Sequence, residues 1–157
     1  MANNLLAGKK GIVFGALNEK SIAWKVAEKA HEQGAELVLT NTPVSIRLGS
    51  INKLAEKTGA PVVPADATSL DDLNRLFEST MDHFGGKIDF ILHSIGMSLN
   101  VRKKRSYDDL DYNFLMKTLD ISAVSFHKVL QVARKIDAIN DWGSVVALSY
   151  IAAQRTL

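Results

Sequence analysis

Two residues near the start of the chain have the types and spacing to hold a phosphate. Gly15 follows the apolar run Gly11–Phe14, and Ser21 comes six residues later, where a helical pattern begins. A glycine turn lets a ligand approach the backbone, and a helix N-terminus offers free N–H groups and a positive dipole end. Ser21 is also a residue type that caps helices. The stretch lacks a full G-x-G-x-x-G, so an ordinary strand–helix loop explains these residues alone equally well.

Two further positions follow apolar runs and carry groups that fit a nucleotide. Asp66 can accept a hydrogen bond from an adenine amino group, although turn formation or helix capping is its alternative role. Thr42 can bond a ribose hydroxyl, at a place where the usual ribose-binding acid is missing. Arg47 could instead meet a 2′-phosphate. These residues leave the choice between NADH and NADPH open.

Later in the chain, Ser94-Ile95-Gly96 and Tyr150 each follow an apolar run. Gly96 permits a close backbone approach by a ligand, or it is simply a turn glycine. The Tyr150 phenol can donate a hydrogen bond to an oxyanion. Without further context, a single tyrosine at a strand end more often packs against its neighbours.

The elements that must position these residues alternate regularly along the chain. Short apolar runs predict buried strands, and the segments between them have helical periodicity. This alternation predicts an α/β fold of the Rossmann type, with a doubly wound parallel sheet that binds ligands beyond the carboxyl ends of its strands. The five predicted strands are Gly11–Phe14, Glu36–Thr40, Pro61–Ala65, Ile88–Ser94 and Gly143–Ser149.

Caps and glycines predict where the helices begin and end. The four predicted helical regions are one from Ser21 to Gly34, one capped by Ser45 and closed by Thr58-Gly59, one opened by the Ser69/Asp72 capping box and closed by Gly85-Gly86, and a long one from Ser106 to about Asp137. A turn is predicted at Asn140–Gly143.

The totals predict a single dinucleotide-binding domain over residues 1–157. The net charge is +2 and there is no cysteine, which argues against nucleic-acid binding, disulfides and thiolate metal sites. The four histidines lack tight ligand spacing, so no metal is expected. We find neither a signal peptide nor an apolar run long enough to span a bilayer, and we expect a cytoplasmic protein without membrane association.

The predicted fifth strand is apolar on both sides, as in a strand covered on both faces. Only Ile151–Leu157 follow it in the sequence. An apolar strand at a sheet edge is prone to aggregation. We therefore expect the domain to be incomplete at its C-terminus, or to be completed by another chain.

Taken together, several segments resemble the bacterial NADH-dependent enoyl-[acyl-carrier-protein] reductases, a divergent branch of the short-chain dehydrogenase/reductases. The segments are G-A-L-N-E-K-S-I-A at 15–23, A-E-L-V-L-T at 35–40, H-S-I-G at 93–96, D-I-S at 120–122 and L-S-Y-I-A-A-Q-R at 148–155. H-S-I-G resembles the replacement, in this branch, of the N-A-G of ordinary short-chain reductases.

The resemblance implies a role for each candidate residue. In the cofactor site, Gly15, Ser21 and Ile22 would hold the diphosphate and neighbouring ribose, Thr42 the adenosine ribose, Asp66 and Ala67 the adenine, and Ser94, Ile95 and Gly96 the nicotinamide ribose. In the substrate site, Ser98 would lie near the acyl group, and Tyr150 would be the first of two catalytic tyrosines at the thioester.

The implied reaction is hydride transfer from NADH, with NADPH as the alternative, to the trans-2 double bond of an enoyl thioester on acyl carrier protein, in fatty acid synthesis. A second tyrosine and a lysine are expected just past Leu157, so the stretch alone is predicted to be inactive. The resemblance also implies a homotetramer. The basic run Arg102–Arg105 is most simply a solvated loop, with an acidic carrier protein or a phosphate as its alternative partner.

Two other classes remain as alternatives. An ordinary ketoacyl reductase would carry N-A-G, which is absent here. The other is a non-catalytic nucleotide-binding or receiver-like module. A receiver would need paired acids after the first strand, where this chain has Phe14-Gly15.

Overall fold

The computed structural model describes residues 3–150 and Gln154. Its sheet has four strands in the order β2-β1-β3-β4, and every neighbouring pair is parallel. The prediction of a doubly wound parallel sheet is confirmed in this order, because the chain moves outward from β1 first on one side and then on the other. The strands are β1 (Lys10–Phe14), β2 (Glu36–Thr40), β3 (Ile88–His93) and β4 (Ile139–Ala147).

Seven α-helices lie in the described part of the chain. A 3₁₀ turn at Tyr107–Asp109 precedes the sixth helix, and a π-helical segment at Asp120–Val124 joins the sixth to the seventh. None of these helices is both long and apolar enough to cross a membrane. The helices are α1 (Ile22–Glu32), α2 (Pro43–Leu48), α3 (Ile51–Thr58), α4 (Leu70–Phe84), α5 (Leu99–Arg102), α6 (Tyr112–Leu119) and α7 (Ser125–Lys135).

The prediction of a strand at Pro61–Ala65 is wrong. This segment runs beside β2, but only an isolated parallel bridge between Leu39 and Val62 forms. Pro61 accepts a hydrogen bond from the Leu39 N–H at 3.0 Å, and the Val63 N–H donates to Leu39 O at 2.9 Å. Pro61 and Pro64 have no N–H to donate, and the predicted strand is reduced to this short contact.

The single helix predicted from Ser45 is also wrong, because two helices occupy this part of the chain. Thr42 is the N-cap of α2, and its side chain accepts from the Ser45 N–H. The chain leaves the helical conformation at Gly49, with φ −96° and ψ −168°. A Cβ at Gly49 would lie 2.6 Å from the Leu17 carbonyl oxygen, so the loop after β1 packs directly against this break.

The Ser69 cap of α4 is confirmed, since Ser69 Oγ accepts from the Asp72 N–H at 3.2 Å and Gly85 ends the helix at φ +68°. The full capping box does not form, because the Ser69 N–H donates to Asp66 O and Asp72 Oδ2 accepts from the Asp66 N–H. The long helical region begins later than predicted, because Asp111 and not Ser106 caps α6. The sequence did not predict α5.

The core forms two layers, because successive residues of each strand point to opposite faces of the sheet. On one face, the buried side chains of α4 and α7 cover the sheet, and they include Leu73, Leu76, Phe77, Val129 and Val132. On the other face, α1 and α3 contribute Ala23, Trp24, Ala27, Ile51 and Leu54. Both faces of β1 and β3 are therefore covered, as parallel strands require.

The last strand, β4, is longer and less regular than predicted. Ile88 pairs with Ile139, but Phe90 pairs with Ser144, so the residues between bulge out of the ladder. The predicted turn at Asn140–Gly143 is this bulge. Of the resembling segment at 148–155, residues 151–153 and 155 lie outside the described part of the chain.

Candidate functional site

The corner between β1 and α1 needs a glycine for a reason that the sequence did not reveal. Gly15 has φ +91°, and a Cβ there would lie 2.0 Å from the Ser94 carbonyl oxygen. Its N–H donates to Thr40 O at 3.1 Å. Gly15 thus brings the ends of β1, β2 and β3 together, and this close packing is a further reason for a glycine at this position.

Ser21 occupies the N-cap position of α1, but its side chain does not cap the helix. Its Oγ donates to Asn18 O at 2.7 Å and accepts from the Leu17 N–H at 3.3 Å, so it stabilises the preceding turn. The prediction of Ser21 as a capping side chain is therefore wrong. Without that cap, and with no acidic residue in its first turn, α1 keeps N–H donors at the end of the helix where an anion binds favourably.

A cavity of about 320 Å³ lies at the carboxyl ends of β1, β2 and β3. It is in the place expected for a ligand in a doubly wound sheet. Seven of the candidate residues line it together: Gly15, Thr42, Asp66, Ala67, Ser94, Ile95 and Gly96. Ser21, Ile22, Ser98 and Tyr150 are not part of its lining.

Asp66 shapes the loop on one side of this cavity. Its Oδ1 accepts from the Thr68 N–H at 2.9 Å and the Thr68 hydroxyl at 2.7 Å. The Asp66 N–H itself donates to Asp72 Oδ2 at 2.9 Å, which ties the loop to α4. The turn-forming role is present, and it uses one carboxylate oxygen, so the other oxygen is available to a ligand.

The end of β2 forms the opposite side of the cavity. Asn41 Nδ2 donates to Ala16 O at 3.1 Å, and Asn41 Oδ1 accepts from the Thr42 N–H at 2.9 Å. Thr42 Oγ1 lies 3.0 Å from Ser45 Oγ, which places two hydroxyls side by side. Asn41 directly follows the predicted strand and was a candidate together with Thr42, but its hydrogen bond to Ala16 O could not be predicted from the sequence.

The loop after β3 is held by Ser122, a residue to which the sequence assigned no role. Ser122 Oγ accepts from the Met97 N–H and donates to Met97 O, both at 3.0 Å. Ser122 belongs to the π-helical segment, and its neighbour Ile121 lines the cavity. Such segments are frequent at functional sites. The D-I-S at 120–122 marked this place in the sequence, but no role was assigned to it.

His93 lies at the end of β3 and is buried among aromatic rings. Ser125 Oγ donates to Ile121 O at 2.7 Å, so the 2.9 Å contact with His93 is a hydrogen bond that His93 Nε2 donates. The rings of Phe14 and Phe126 are 6.2 and 5.3 Å away. Burial lowers the pKa of His93, which favours a neutral imidazole with a packing role.

This chain is similar to known proteins both in sequence and in structure. A family model described as Enoyl-(Acyl carrier protein) reductase matches residues 15–157. The chain belongs to this enoyl-(acyl carrier protein) reductase family. Among curated proteins, it is 34% identical over 157 residues to enoyl-[acyl-carrier-protein] reductase [NADH] 1 of Rhizobium meliloti, and covers 56% of that protein and 99% of its own length.

Solved structures of the reductase family superpose closely on this chain. The FabI–NADH complex from Alistipes finegoldii has a TM-score of 0.96 at 75% identity, over 98% of this chain and 54% of that one. The Bacillus cereus reductase, solved with NADP+ and indole naphthyridinone, has a TM-score of 0.85 at 28% identity, over 98% and 59%. This reductase-family chain thus spans a little over half of the proteins that it resembles.

Two candidate residues of this chain, Ser98 and Tyr150, stand apart from the cavity. The Tyr150 side chain is 85% exposed, at the end of β4. Ser98 is the N-cap of α5, where its side chain makes no capping hydrogen bond. Their roles at the substrate remain predictions.

The lining of the cavity offers polar groups that suit a nucleotide. Polar groups of Thr42, Ser45 and Asp66 line it, and the loop that leads from β1 into the uncapped α1 contributes to its wall. At Gly96 a Cβ would meet no atom within 4 Å, so this part of the loop faces open space. The residues present can therefore hold an adenine, a ribose and a phosphate group.

Proposed function

We propose that this chain forms the cofactor-binding part of an NADH-dependent enoyl-[acyl-carrier-protein] reductase of fatty acid synthesis. The observation that carries the proposal is the single cavity around which seven candidate residues meet, at the carboxyl ends of three parallel strands. The 75% identity to a FabI that was crystallised with NADH supports the choice of cofactor. NADPH remains the alternative cofactor.

The proposed cofactor site follows from the placement of the polar groups. The diphosphate would lie against the N-terminal turn of α1, beside Ser21 and Ile22. Thr42 would bond the adenosine ribose, and the free oxygen of Asp66 would accept from the adenine amino group, with Ala67 beside the ring. The nicotinamide ribose would lie along Ser94-Ile95-Gly96.

The proposed chemistry is reduction of the trans-2 double bond of an enoyl thioester. When bound, the cofactor supplies the hydride for the β-carbon. Negative charge then develops on the thioester oxygen, and the Tyr150 hydroxyl would donate a hydrogen bond to it. Ser98, on the loop that leads into α5, would lie beside the acyl group.

A second copy of the chain is the proposed partner of one exposed helical surface. Four large side chains along α6 and the π-helical segment are exposed: Tyr112 at 75%, Met116 at 64%, Leu119 at 45% and Val124 at 44%. An apolar surface of this kind favours association. We propose that it pairs subunits in a homotetramer. The cytoplasmic location, the acyl-carrier-protein partner and the absence of metal, membrane and nucleic-acid partners remain predictions.

The test is an assay of the purified protein, expressed with everything that its gene encodes. We expect NADH to be oxidised in the presence of crotonyl thioester, followed by its absorbance. Replacement of Tyr150 by Phe should lower kcat more than it raises KM, because a hydrogen bond that forms only in the transition state is lost. Oxidation with acetoacetyl thioester instead would indicate a ketoreductase. Nucleotide binding without turnover of either thioester would indicate a non-catalytic module.

A further inference from the structure

A second cavity opens beside the first, and the two share one rim. This second cavity has a volume of about 540 Å³ and lies between the loop after β1, the break between α2 and α3, and α5. The residues common to both cavities are Leu17, Thr42, Ser45, Met97 and Arg102. The hydroxyls of Thr42 and Ser45 and the guanidinium of Arg102 are thus the polar side-chain groups of this rim.

Arg102 is the only cationic side chain that lines either cavity within residues 3–150 and Gln154. No ion pair between described residues involves it. The nearby Arg105, in contrast, pairs with Asp109 at 2.9 Å. The charge of Arg102 is therefore available to an anion that enters the cavity.

The helix that carries Arg102 is short but firmly attached to α6. The buried Asn100 donates from Nδ2 to Asp111 O at 3.1 Å and accepts at Oδ1 from the Asp111 N–H at 3.0 Å. The Leu99 N–H donates to Thr118 Oγ1 at 3.2 Å. Because these bonds fix α5, the position of Arg102 at the rim is set by the fold.

We infer that Arg102 binds a phosphate group of the nucleotide at this shared rim, opposite Thr42 and Ser45. The inference rests on the proposed cofactor site. A guanidinium can bind a phosphate with two parallel hydrogen bonds, which neither hydroxyl can do. The phosphate is either the diphosphate, which NADH and NADPH share, or the 2′-phosphate, which only NADPH has.

Arg47 offers a matched control. It was the sequence-based candidate for a 2′-phosphate, but it is exposed in the last turn of α2 and lines neither cavity. Removing either arginine changes the net charge of the protein equally. A difference between the two variants therefore reports position rather than overall charge.

The experiment measures the Kd of NADH and of NADPH for the wild type, Arg102→Gln and Arg47→Gln, by titration calorimetry on the protein expressed with everything that its gene encodes. Because a hydrogen bond to a charged group contributes about 1.5–3 kcal/mol, we expect Arg102→Gln to weaken binding by at least about tenfold. Equal weakening of NADH and NADPH would assign the diphosphate. Weakening of NADPH alone would assign the 2′-phosphate. Arg47→Gln should bind both as the wild type does.

Arg102→Lys adds a second readout, since a lysine keeps the charge but not the paired geometry and should recover only part of the affinity. Arg102→Gln should also show a shallower salt dependence of binding than the wild type. Unchanged Kd values for both nucleotides in Arg102→Gln, with wild-type binding intact, would overturn the role of Arg102 alone. Failure of the wild type to bind either nucleotide would overturn the proposed function and this inference together.

Discussion

The central strands β1 and β3 differ from the last strand, β4, in how much of the chain packs against them. In β1 and β3, Ile12, Val13 and Ile91 are at most 1% exposed. In and after β4, Val146 is 50% and Tyr150 is 85% exposed. The strands at the proposed cofactor site are thus buried by contacts between described residues. The region around the proposed catalytic tyrosine, in and after β4, has few such contacts. Within residues 3–150 and Gln154, the cofactor cavity lies at the ends of packed strands, whereas Tyr150 is exposed.

The largest expected effect is a difference in unfolding free energy between a substitution in the buried core and one in β4. Phe77 is fully buried between α4 and the sheet, so Phe77→Ala should lower the free energy of unfolding by about 3–5 kcal/mol through lost burial and an internal cavity. Val146→Ala, at the exposed strand, should cost less than about 1 kcal/mol. Urea denaturation of both variants measures the difference. Similar losses for the two variants would mean that β4 is covered in solution.

A smaller effect distinguishes packing from ligand binding at two glycines. Gly15→Ala combines a Cβ 2.0 Å from Ser94 O with φ +91°, so we expect a loss of roughly 1–3 kcal/mol in stability and weaker nucleotide binding. Gly96→Ala meets no protein atom within 4 Å and should change stability by less than about 0.5 kcal/mol. Its nucleotide affinity should nevertheless fall, if the ribose lies along this loop. Thermal unfolding and Kd measurements on both variants separate the two effects.

The sequence predicted best where the signal is local. The Ser69 cap and Gly85 specify α4 through contacts within a few residues, and the structure has both. The apolar runs of β1, β2 and β3 likewise predicted the order of the elements, and hence the place of the cavity. These features need no knowledge of distant partners.

The predictions failed where two local structures or hydrogen-bond partners were equally compatible with the sequence. Ser21 can bond either a helix N–H or the Asn18 carbonyl, and the structure has the second. Ser45 and Thr42 are both good caps three residues apart, so composition does not distinguish them. The apolar composition of Pro61–Ala65 predicts a strand, but its two prolines limit the ladder.

Two parts of the candidate site lay beyond sequence reasoning because their partners are distant in the chain. Ser122 holds Met97 across 25 residues, and Asn100 holds Asp111 across 11. Neither pair has a characteristic spacing. The position of Arg102 at the rim follows from these contacts, and in the sequence it was only one member of a basic run.

The smallest expected effect concerns His93, at the end of β3, which lies between β1 and β4 in the sheet. It pairs with Phe14 of β1 and with Ala147 of β4. Because burial lowers its pKa in the folded state, the unfolded chain binds a proton more readily. The free energy of unfolding is therefore not reduced by this histidine above the unfolded pKa of about 6.5. Below that value it should fall as the pH drops, by at most about 1.4 kcal/mol per pH unit.

His93→Gln removes this titration, so its unfolding free energy should depend less steeply on pH than that of the wild type between about pH 5 and 6.5. His127→Gln, at an exposed position of α7, serves as the control for the loss of a histidine. Urea denaturation across this range measures all three slopes. Identical slopes for His93→Gln and the wild type would mean that His93 takes up a proton equally well in the folded protein. That outcome would contradict the burial of the His93 ring at the end of β3 as the cause of a pH-dependent stability.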